Sequence, residues 1–300
     1  MARLTLIAPN PGAAMPTPTA NPSLSAEQIN QFKTEGYTVL EGLFDDREVA
    51  AMQAEVKRFQ DTGLIHNVKT QGDGSTHSTG KVNLQLCPMS PHSDLFKALP
   101  FLDKVRHNVA ALIGDDVLLH LDQVFLKPGL RGSGTNWHQD NAYFQIKDPM
   151  QGTAMWIAVH DAHIANGTMR ILPGMAHAKL EHSRDPDSDH HIRCYPDNEL
   201  DSIAFDLPAG SVGFFAYGIP HCTMGNNTTQ DRAGCAFHFL TYEAAQTGAH
   251  ADQFGDDRTY KPALTGPEAT FGQAEYGQDM RGVWDTAVQA ALDEAPVATA

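Results

Sequence analysis

Three residues with metal-binding side chains attract attention by their type and spacing. His138 and Asp140 are separated by one residue, and His221 lies far downstream, just after Gly218 and Pro220. Alternate side chains of an extended strand point to the same face, so this spacing directs the imidazole and the carboxylate of the pair to one side. Two imidazoles and one carboxylate can occupy one face of a mononuclear iron(II) ion and leave its other positions open. The pattern therefore predicts a non-haem iron site.

Arg232 lies eleven residues after His221 and begins an apolar stretch, 233–237. A guanidinium in such a stretch would be carried into the interior, where a charge is costly unless it is paired. The neighbouring Asp231 would face the opposite side of a strand. A carboxylate of a bound ligand is therefore the favoured partner, because arginine pairs with carboxylates in a bidentate manner. An internal salt bridge is the alternative interpretation.

Each of these signals also has a simpler interpretation when it is taken alone. A His-x-Asp pair can arise by chance in a chain with 15 histidines, and His221 could be an ordinary core or surface histidine. The same three ligands could instead hold zinc in a hydrolase that uses an activated water. A third alternative is a β-barrel binding protein without catalytic activity.

The composition argues against several other classes of protein. The formal net charge is -15, whereas nucleic-acid binders usually carry a basic face. This charge also disfavours an anionic membrane surface, and no apolar run approaches the roughly 18 residues of a membrane span. The four cysteines form no C-x-x-C pair, which favours free thiols. Because the start of the chain is a poor signal peptide, a cytoplasmic location is predicted.

The first part of the chain is predicted to be an arm followed by helices. Residues 1–24, which are rich in Pro, Ala and Thr, are predicted to be a disordered arm before a single domain over 25–300. Ser25 and Gln28 have the spacing of a capping box, which predicts a helix that stops at Gly36. A second helix is predicted to begin after a cap at Asp45 or Asp46, with Val49, Met52, Val56 and Phe59 on its apolar face.

From about residue 117 onward, the pattern changes to short strands bounded by Gly, Pro, Asn and Asp. Many evenly spaced strands with turn signals indicate a sandwich or a barrel. We therefore predict an α+β, mainly β fold with a β core over about 117–245. Two long polar segments, 60–80 and 178–200, are predicted to be lid loops, because long loops in compact domains are often functional.

Several further motifs follow one another in a recognisable order along the chain. They are W-H-Q-D-N-A-Y-F at 137–144, T-A-M-W-I-A at 153–158, Asn166-Gly167, P-G-M-A-H at 173–177, His221 and Arg232. With these motifs, the chain over roughly 26–245 resembles the phytanoyl-CoA dioxygenase (PhyH) family of Fe(II)- and 2-oxoglutarate-dependent oxygenases. One departure is Met175-Ala176, where the family commonly has a serine before the histidine.

The resemblance implies a double-stranded β-helix, a jelly-roll-like barrel with flanking helices. It implies Fe(II) bound by His138, Asp140 and His221, with 2-oxoglutarate and O2 as cosubstrates. It also implies that the 5-carboxylate of 2-oxoglutarate binds Arg232 with assistance from Thr223. The other residues implied to line the cosubstrate pocket are Gln123, Trp156 and Lys81.

The implied reaction is hydroxylation of a small molecule with release of succinate and CO2. Family members that halogenate replace the carboxylate ligand by a small residue, so Asp140 disfavours halogenation. Desaturation, ring closure and ketone formation remain open. The chain lacks a basic cluster for a CoA diphosphate, which disfavours an acyl-CoA thioester as substrate. A monomer or homodimer without nucleic-acid or membrane partners is expected.

Overall fold

The computed structural model describes residues 5–7, 22–247, 262–267 and 269–295, and the statements below refer to these residues. The helices are α1 Ala26–Glu35, α2 Asp46–Asp61, α3 Asp94–Ala98, α4 Asp103–Ile113, α5 Asn141–Phe144, α6 Tyr242–Thr247, α7 Gln273–Tyr276 and α8 Trp284–Glu294. The strands are β1 Thr5–Ile7, β2 Tyr37–Leu40, β3 His66–Asn67, β4 Leu84–Leu86, β5 Val117–Lys127, β6 Thr135–His138, β7 Gly152–Ala158, β8 Met169–Ile171, β9 Ser183–Arg184, β10 Ile192–Arg193, β11 Ile203–Phe205, β12 Val212–Ala216, β13 His221–Thr223 and β14 Arg232–Thr241. Within the described ranges, no helix is long and apolar enough to cross a membrane.

The first two helices begin at the residues that the capping signals predict. The Ser25 hydroxyl accepts from the Gln28 N–H, and the Gln28 side chain accepts from the Ser25 N–H. Asp45 and Glu48 form the same reciprocal capping box at the start of α2. Helix α1 ends at Gly36, whose φ of 76° lies in the left-handed region that glycine adopts easily. The buried face of α2 contains the predicted Val49, Met52, Val56 and Phe59.

Two mainly antiparallel sheets form the β core. The larger sheet has the strand order β2-β12-β7-β14-β5-β4-β3, and the smaller sheet has the order β1-β11-β8-β13-β6. Side chains from β5, β7 and β14 of the larger sheet and from β6, β8 and β13 of the smaller sheet line a single pocket. The two sheets therefore face each other, which confirms the predicted α+β, mainly β fold with a double-stranded β-helix core and flanking helices.

The β core extends beyond the predicted limits of 117–245. Strands β2, β3 and β4 come from the first hundred residues and extend both edges of the larger sheet. They are only two to four residues long, so their patterns do not reveal which sheet they join. Thr5–Ile7, predicted as part of the disordered arm, pair in parallel with Ile203–Phe205, which provides hydrogen-bond partners along one side of the segment. Residues 8–21 of the predicted arm lie outside the described residues.

Two strand pairings bring the predicted site residues together. Strand β13 lies between β6 and β8, and its register places His221 opposite His138. In the larger sheet, β14 pairs with β5 so that Arg232 lies opposite Lys127. Directly opposed residues of paired strands project from the same face of a sheet. Because all four residues line the pocket, both pairs project into the space between the sheets.

The close approach of β6 to β13 depends on the absence of a side chain at Gly134. A Cβ atom there would lie 2.1 Å from the Thr223 carbonyl oxygen, whereas a Cβ atom at Gly80 would meet nothing within 4 Å. We expect Gly134→Ala to lower the free energy of unfolding by about 1–3 kcal/mol, because the two strands must shift. The matched control Gly80→Ala should change it by less than about 0.5 kcal/mol. Urea unfolding measures both values, and equal stabilities would contradict the expectation.

Candidate active site

The three predicted metal ligands meet where β6 and β13 pair. His138 is the last residue of β6, and His221 is the first residue of β13. Asp140 has helical backbone angles, φ -58° and ψ -35°, so the expectation that it lies on an extended strand is wrong. Strand β6 ends at His138, and the turn into α5 directs the carboxylate back towards the histidines. Asp140 Oδ1 lies 3.6 Å from His221 Nε2 and 3.9 Å from His138 Nε2.

Both imidazoles present the nitrogen that a metal ion needs. His138 Nδ1 lies 2.8 Å from the carbonyl oxygen of Asn136, and His221 Nδ1 lies 3.0 Å from that of Ile219. A carbonyl oxygen only accepts, so each Nδ1 carries the hydrogen and each Nε2 keeps its lone pair near Asp140. Burial lowers the pKa of both histidines to about 4, so both are neutral at pH 7.

The donor set fits iron(II). One ligand atom from each of His138, Asp140 and His221 lies within 4.8 Å of the other two, and no other His, Cys, Asp or Glu group in the described chain does this. Asp140 Oδ2 is buried and has no hydrogen-bond partner among the described residues. Two neutral imidazoles and one carboxylate match the facial triad of non-haem iron(II) oxygenases. The residues present can therefore hold such an ion and leave positions open for other ligands.

The ligands line an interior pocket of about 220 Å³ between the two sheets. Four of the five residues that the resemblance assigns to the cosubstrate also line it, namely Gln123, Trp156, Thr223 and Arg232. The pocket wall further contains a basic cluster, defined as Arg232 and Lys127. It also contains a ring cluster, defined as Tyr143, Phe144, His190 and His191.

The basic cluster is buried, and no acidic side chain of the described part of the chain pairs with it. Arg232 is 1% exposed, its Nη2 donates to the Gly167 carbonyl oxygen, and its guanidinium lies 5.6 Å from the Trp156 ring centroid. Its Nε has no hydrogen-bond partner among the described residues. Burial lowers the pKa of Arg232 to about 9, and burial together with the nearby Arg232 lowers the pKa of Lys127 well below its ordinary value. An anion bound beside these two groups would offset the cost of burying them.

Lys127 also orients the hydroxyl group of Thr223 by donating a hydrogen bond to it. Its Nζ donates to the carbonyl oxygens of Ser133 at 2.6 Å and Met224 at 2.8 Å, and to Thr223 Oγ1 at 2.9 Å. The Thr135 N–H donates to the same Oγ1 at 3.1 Å. Both lone pairs of the Thr223 hydroxyl are therefore used, and its hydrogen is available for donation into the pocket.

Lys81, the fifth residue implied by the resemblance, lies outside the pocket. Its side chain is exposed, and its Nζ donates to the Leu130 carbonyl oxygen at 2.7 Å. Strand β4 begins only at Leu84, so Lys81 precedes the strand that would have oriented it inward. The placement of Lys81 in the cosubstrate pocket is therefore wrong, and the buried lysine of the pocket is Lys127.

Lys127 and His238, two charged or polar residues that line the pocket, escape prediction from the sequence. His238 Nδ1 lies 3.5 Å from Asp140 Oδ2, and its Nε2 lies 3.1 Å from Gln123 Nε2. Alternation along β14 is the signal that identifies His238, because it puts this residue on the same face as Arg232. Lys127 carries no comparable signal, since its place opposite Arg232 depends on strand register.

The two predicted lid loops pack against each other. Lys69 Nζ lies 2.9 Å from Asp187 Oδ1, and further hydrogen bonds join the loops around these residues. His190 and His191 of the second loop line the pocket, whereas no residue of the fully described segment 60–80 does. The first loop therefore supports the second loop instead of forming the pocket wall itself.

The fold and the site together define a class of protein. A double-stranded β-helix that holds two histidines and one carboxylate beside a buried arginine has the architecture of a non-haem iron oxygenase. In agreement, the family model of phytanoyl-CoA dioxygenase (PhyH) matches residues 32–234, more than half of the chain. The chain belongs to this family of Fe(II)- and 2-oxoglutarate-dependent oxygenases, which confirms the resemblance carried by its motifs.

Individual proteins and solved structures are similar to this chain at low sequence identity. An ectoine dioxygenase of Bordetella parapertussis is 24% identical over 255 residues, covering 78% of this chain and 80% of that protein. A probable alpha-ketoglutarate-dependent hypophosphite dioxygenase of Stutzerimonas stutzeri is 26% identical over 235 residues, covering 73% and 79%. Among solved structures, EctD from S. alaskensis with 2-oxoglutarate and 5-hydroxyectoine has a TM-score of 0.58 at 22% identity, with coverage of 75% and 79%. The carbocyclase SnoK from nogalamycin biosynthesis has a TM-score of 0.61 at 16% identity, with coverage of 75% and 87%.

The ligand geometry predicts that a divalent metal ion stabilises the fold. We expect anaerobic Fe(II) at 100 times its dissociation constant to raise the free energy of unfolding by about 2.7 kcal/mol, because the ion binds only the folded chain. His221→Ala should abolish this gain. His160→Ala should retain it, because His160 lies outside the pocket wall. Thermal unfolding with and without metal measures the effect, and an unchanged gain in His221→Ala would contradict the ligand assignment.

Proposed function

We propose that the protein is a 2-oxoglutarate-dependent hydroxylase of a small molecule. One observation carries the proposal: the three metal ligands share an interior pocket with a buried arginine that lacks an acidic partner among the described residues. The three ligands fit a metal ion, and the buried arginine fits one carboxylate of a dicarboxylate. A zinc hydrolase needs only the metal ligands, and a non-catalytic binding protein needs neither the ligands nor the arginine.

In this proposal, iron(II) is held by His138 Nε2, His221 Nε2 and Asp140 Oδ1. When bound, the iron activates O2 with electrons from the oxidative decarboxylation of 2-oxoglutarate, which yields succinate and CO2. The chain itself orients the ligands through the carbonyl groups that hold each Nδ1 hydrogen. Asp140 fills the ligand position that a halide would need, so hydroxylation is favoured over halogenation.

The basic cluster is proposed to bind the 5-carboxylate of 2-oxoglutarate. Arg232 offers its unpaired guanidinium N–H groups, and the Thr223 hydroxyl donates beside it because Lys127 and the Thr135 N–H occupy its lone pairs. The ring of Trp156, which is 1% exposed, packs beside the guanidinium and would limit the access of water to it. Water exclusion strengthens the ion pair between Arg232 and the carboxylate.

The ring cluster is proposed to bind the primary substrate. Tyr143 and Phe144 come from α5, and His190 and His191 come from the second lid loop. Burial lowers the pKa of His191 well below its ordinary value, so this ring is neutral at pH 7. A neutral His191 beside the rings of Tyr143 and Phe144 fits a small molecule with hydrogen-bonding groups, and it offers no basic site for a CoA diphosphate. The relatives named for ectoine and hypophosphite support a small-molecule substrate.

We also propose that the protein acts in the cytoplasm as a monomer or homodimer. All four cysteines are free, and three of them are buried, which suits a reducing compartment.

Loss of the carboxylate ligand should abolish turnover of 2-oxoglutarate. We expect Asp140→Ala to form no detectable succinate from 2-oxoglutarate, Fe(II) and O2, because two imidazoles alone hold iron(II) poorly. The matched control Asp148→Ala changes an exposed aspartate and should retain the wild-type rate. Succinate is quantified with and without candidate substrates. Wild-type succinate formation in Asp140→Ala would contradict the triad.

Loss of the guanidinium should weaken cosubstrate binding. We expect Arg232→Ala to raise the KM for 2-oxoglutarate by at least about 30-fold, since truncating one partner of a buried ion pair costs about 2 kcal/mol or more. Arg131→Ala serves as the control, because Arg131 is exposed and bonds to loop carbonyl groups. An unchanged KM in Arg232→Ala would place the distal carboxylate elsewhere.

A further inference from the structure

His238 lies beside the metal-ligand carboxylate without being a metal ligand itself. It is 3% exposed, and its Nδ1 has no hydrogen-bond partner among the described residues. Asp140 is 5% exposed, and its Oδ2 is likewise without a partner. These two atoms lie 3.5 Å apart. Buried polar atoms without partners are rare and costly, so two that face each other indicate one interaction.

The neighbouring Gln123 fixes which nitrogen of His238 carries the hydrogen. Gln123 Nε2 lies 3.1 Å from His238 Nε2, and an amide nitrogen only donates. His238 Nε2 therefore accepts, and the ring hydrogen lies on Nδ1, which faces Asp140. The opposite orientation of the amide would put the hydrogen on Nε2 and turn an Nδ1 lone pair towards a carboxylate, which is repulsive.

We propose that Gln123 and His238 form a positioning pair that holds the outer oxygen of Asp140. The Gln123 amide donates to His238 Nε2, and His238 Nδ1–H donates to Asp140 Oδ2. Asp140 Oδ1 is then the oxygen left for the metal, in agreement with its distances of 3.6 and 3.9 Å from the two histidine Nε2 atoms. This inference rests on the proposed metal site.

A hydrogen bond to Asp140 Oδ2 limits how the carboxylate can bind the metal. A free carboxylate could rotate and bind the metal through both oxygens, which would fill a position that the cosubstrate or O2 needs. A hydrogen bond from His238 keeps Asp140 monodentate and makes it a better-oriented ligand. Residues that orient metal ligands in this way typically contribute about 10–100-fold to metal affinity. The function of Gln123 is therefore to act through His238, in addition to lining the cosubstrate pocket.

The test is anaerobic Fe(II) titration of the metal-free full-length chain by competition with a fluorescent chelator. We expect His238→Leu to raise the Fe(II) dissociation constant about 10–100-fold. His238→Asn should stay within about threefold of wild type, because its amide nitrogen can donate from nearly the position of Nδ1. Gln123→Leu should weaken binding, and Gln123→Leu/His238→Leu should be no weaker than His238→Leu alone, since the two residues act as one unit. His160→Leu is the matched control and should bind Fe(II) as the wild type does.

A second readout is the visible absorption band that 2-oxoglutarate induces on the Fe(II) protein. The wavelength of this band should shift in His238→Leu and should match the wild-type wavelength in His238→Asn. A role limited to packing would leave the wavelength unchanged in both variants. Equal Fe(II) affinity in His238→Leu and wild type would overturn the proposal, as would equal weakening in His238→Asn and His238→Leu. If His238→Leu does not fold, the Asn and Gln123 variants decide the question. Failure of the wild type to bind Fe(II) would instead refute the metal site itself.

Discussion

The pairing of β6 with β13 is the constraint on which the site depends. It places His138 opposite His221, so the two Nε2 atoms converge on one side of the sheet. A slip by one residue would turn one imidazole to the other face, because side chains alternate along a strand. The absence of a Cβ at Gly134 allows the strands to approach, and the turn after His138 brings Asp140 into the same space. Backbone geometry thus assembles the ligands before any metal ion binds.

A second cross-strand pair supplies the charge of the pocket. Arg232 and Lys127 lie opposite each other on β14 and β5, and burial disfavours the charged form of both groups. Such an arrangement is unfavourable in isolation, and groups whose pKa is strongly perturbed inside a cleft often mark functional sites. In the proposed arrangement, a bound dicarboxylate would offset this cost at one end, and its other end would reach the metal ligands. The cost of burying the two basic groups in the free pocket would therefore favour the binding of a dianion.

The sequence offers His138, Asp140, His221 and Arg232 as candidates through their residue types, their spacing and the ordered family motifs around them. The caps at Ser25 and Asp45 are local signals, and the structure reproduces both. What depends on register or on a distant partner is not predictable in this way. Lys127, His238 and the docking of the first lid loop on the second belong to this group, as does the true position of Lys81. The helical conformation of Asp140 also differs from the strand that alternation suggested, because the end of β6 is set by where its pairing with β13 stops.

The proposed function therefore depends on one geometric arrangement, in which a metal ion and the distal carboxylate of 2-oxoglutarate would occupy opposite parts of one pocket. The most direct measurement is a crystal structure of the protein grown anaerobically with Fe(II) and 2-oxoglutarate. We expect metal density bounded by His138 Nε2, His221 Nε2 and Asp140 Oδ1, and the 5-carboxylate in contact with the guanidinium of Arg232. Metal bound elsewhere, or a distal carboxylate that lies among the rings of the second lid loop, would contradict it.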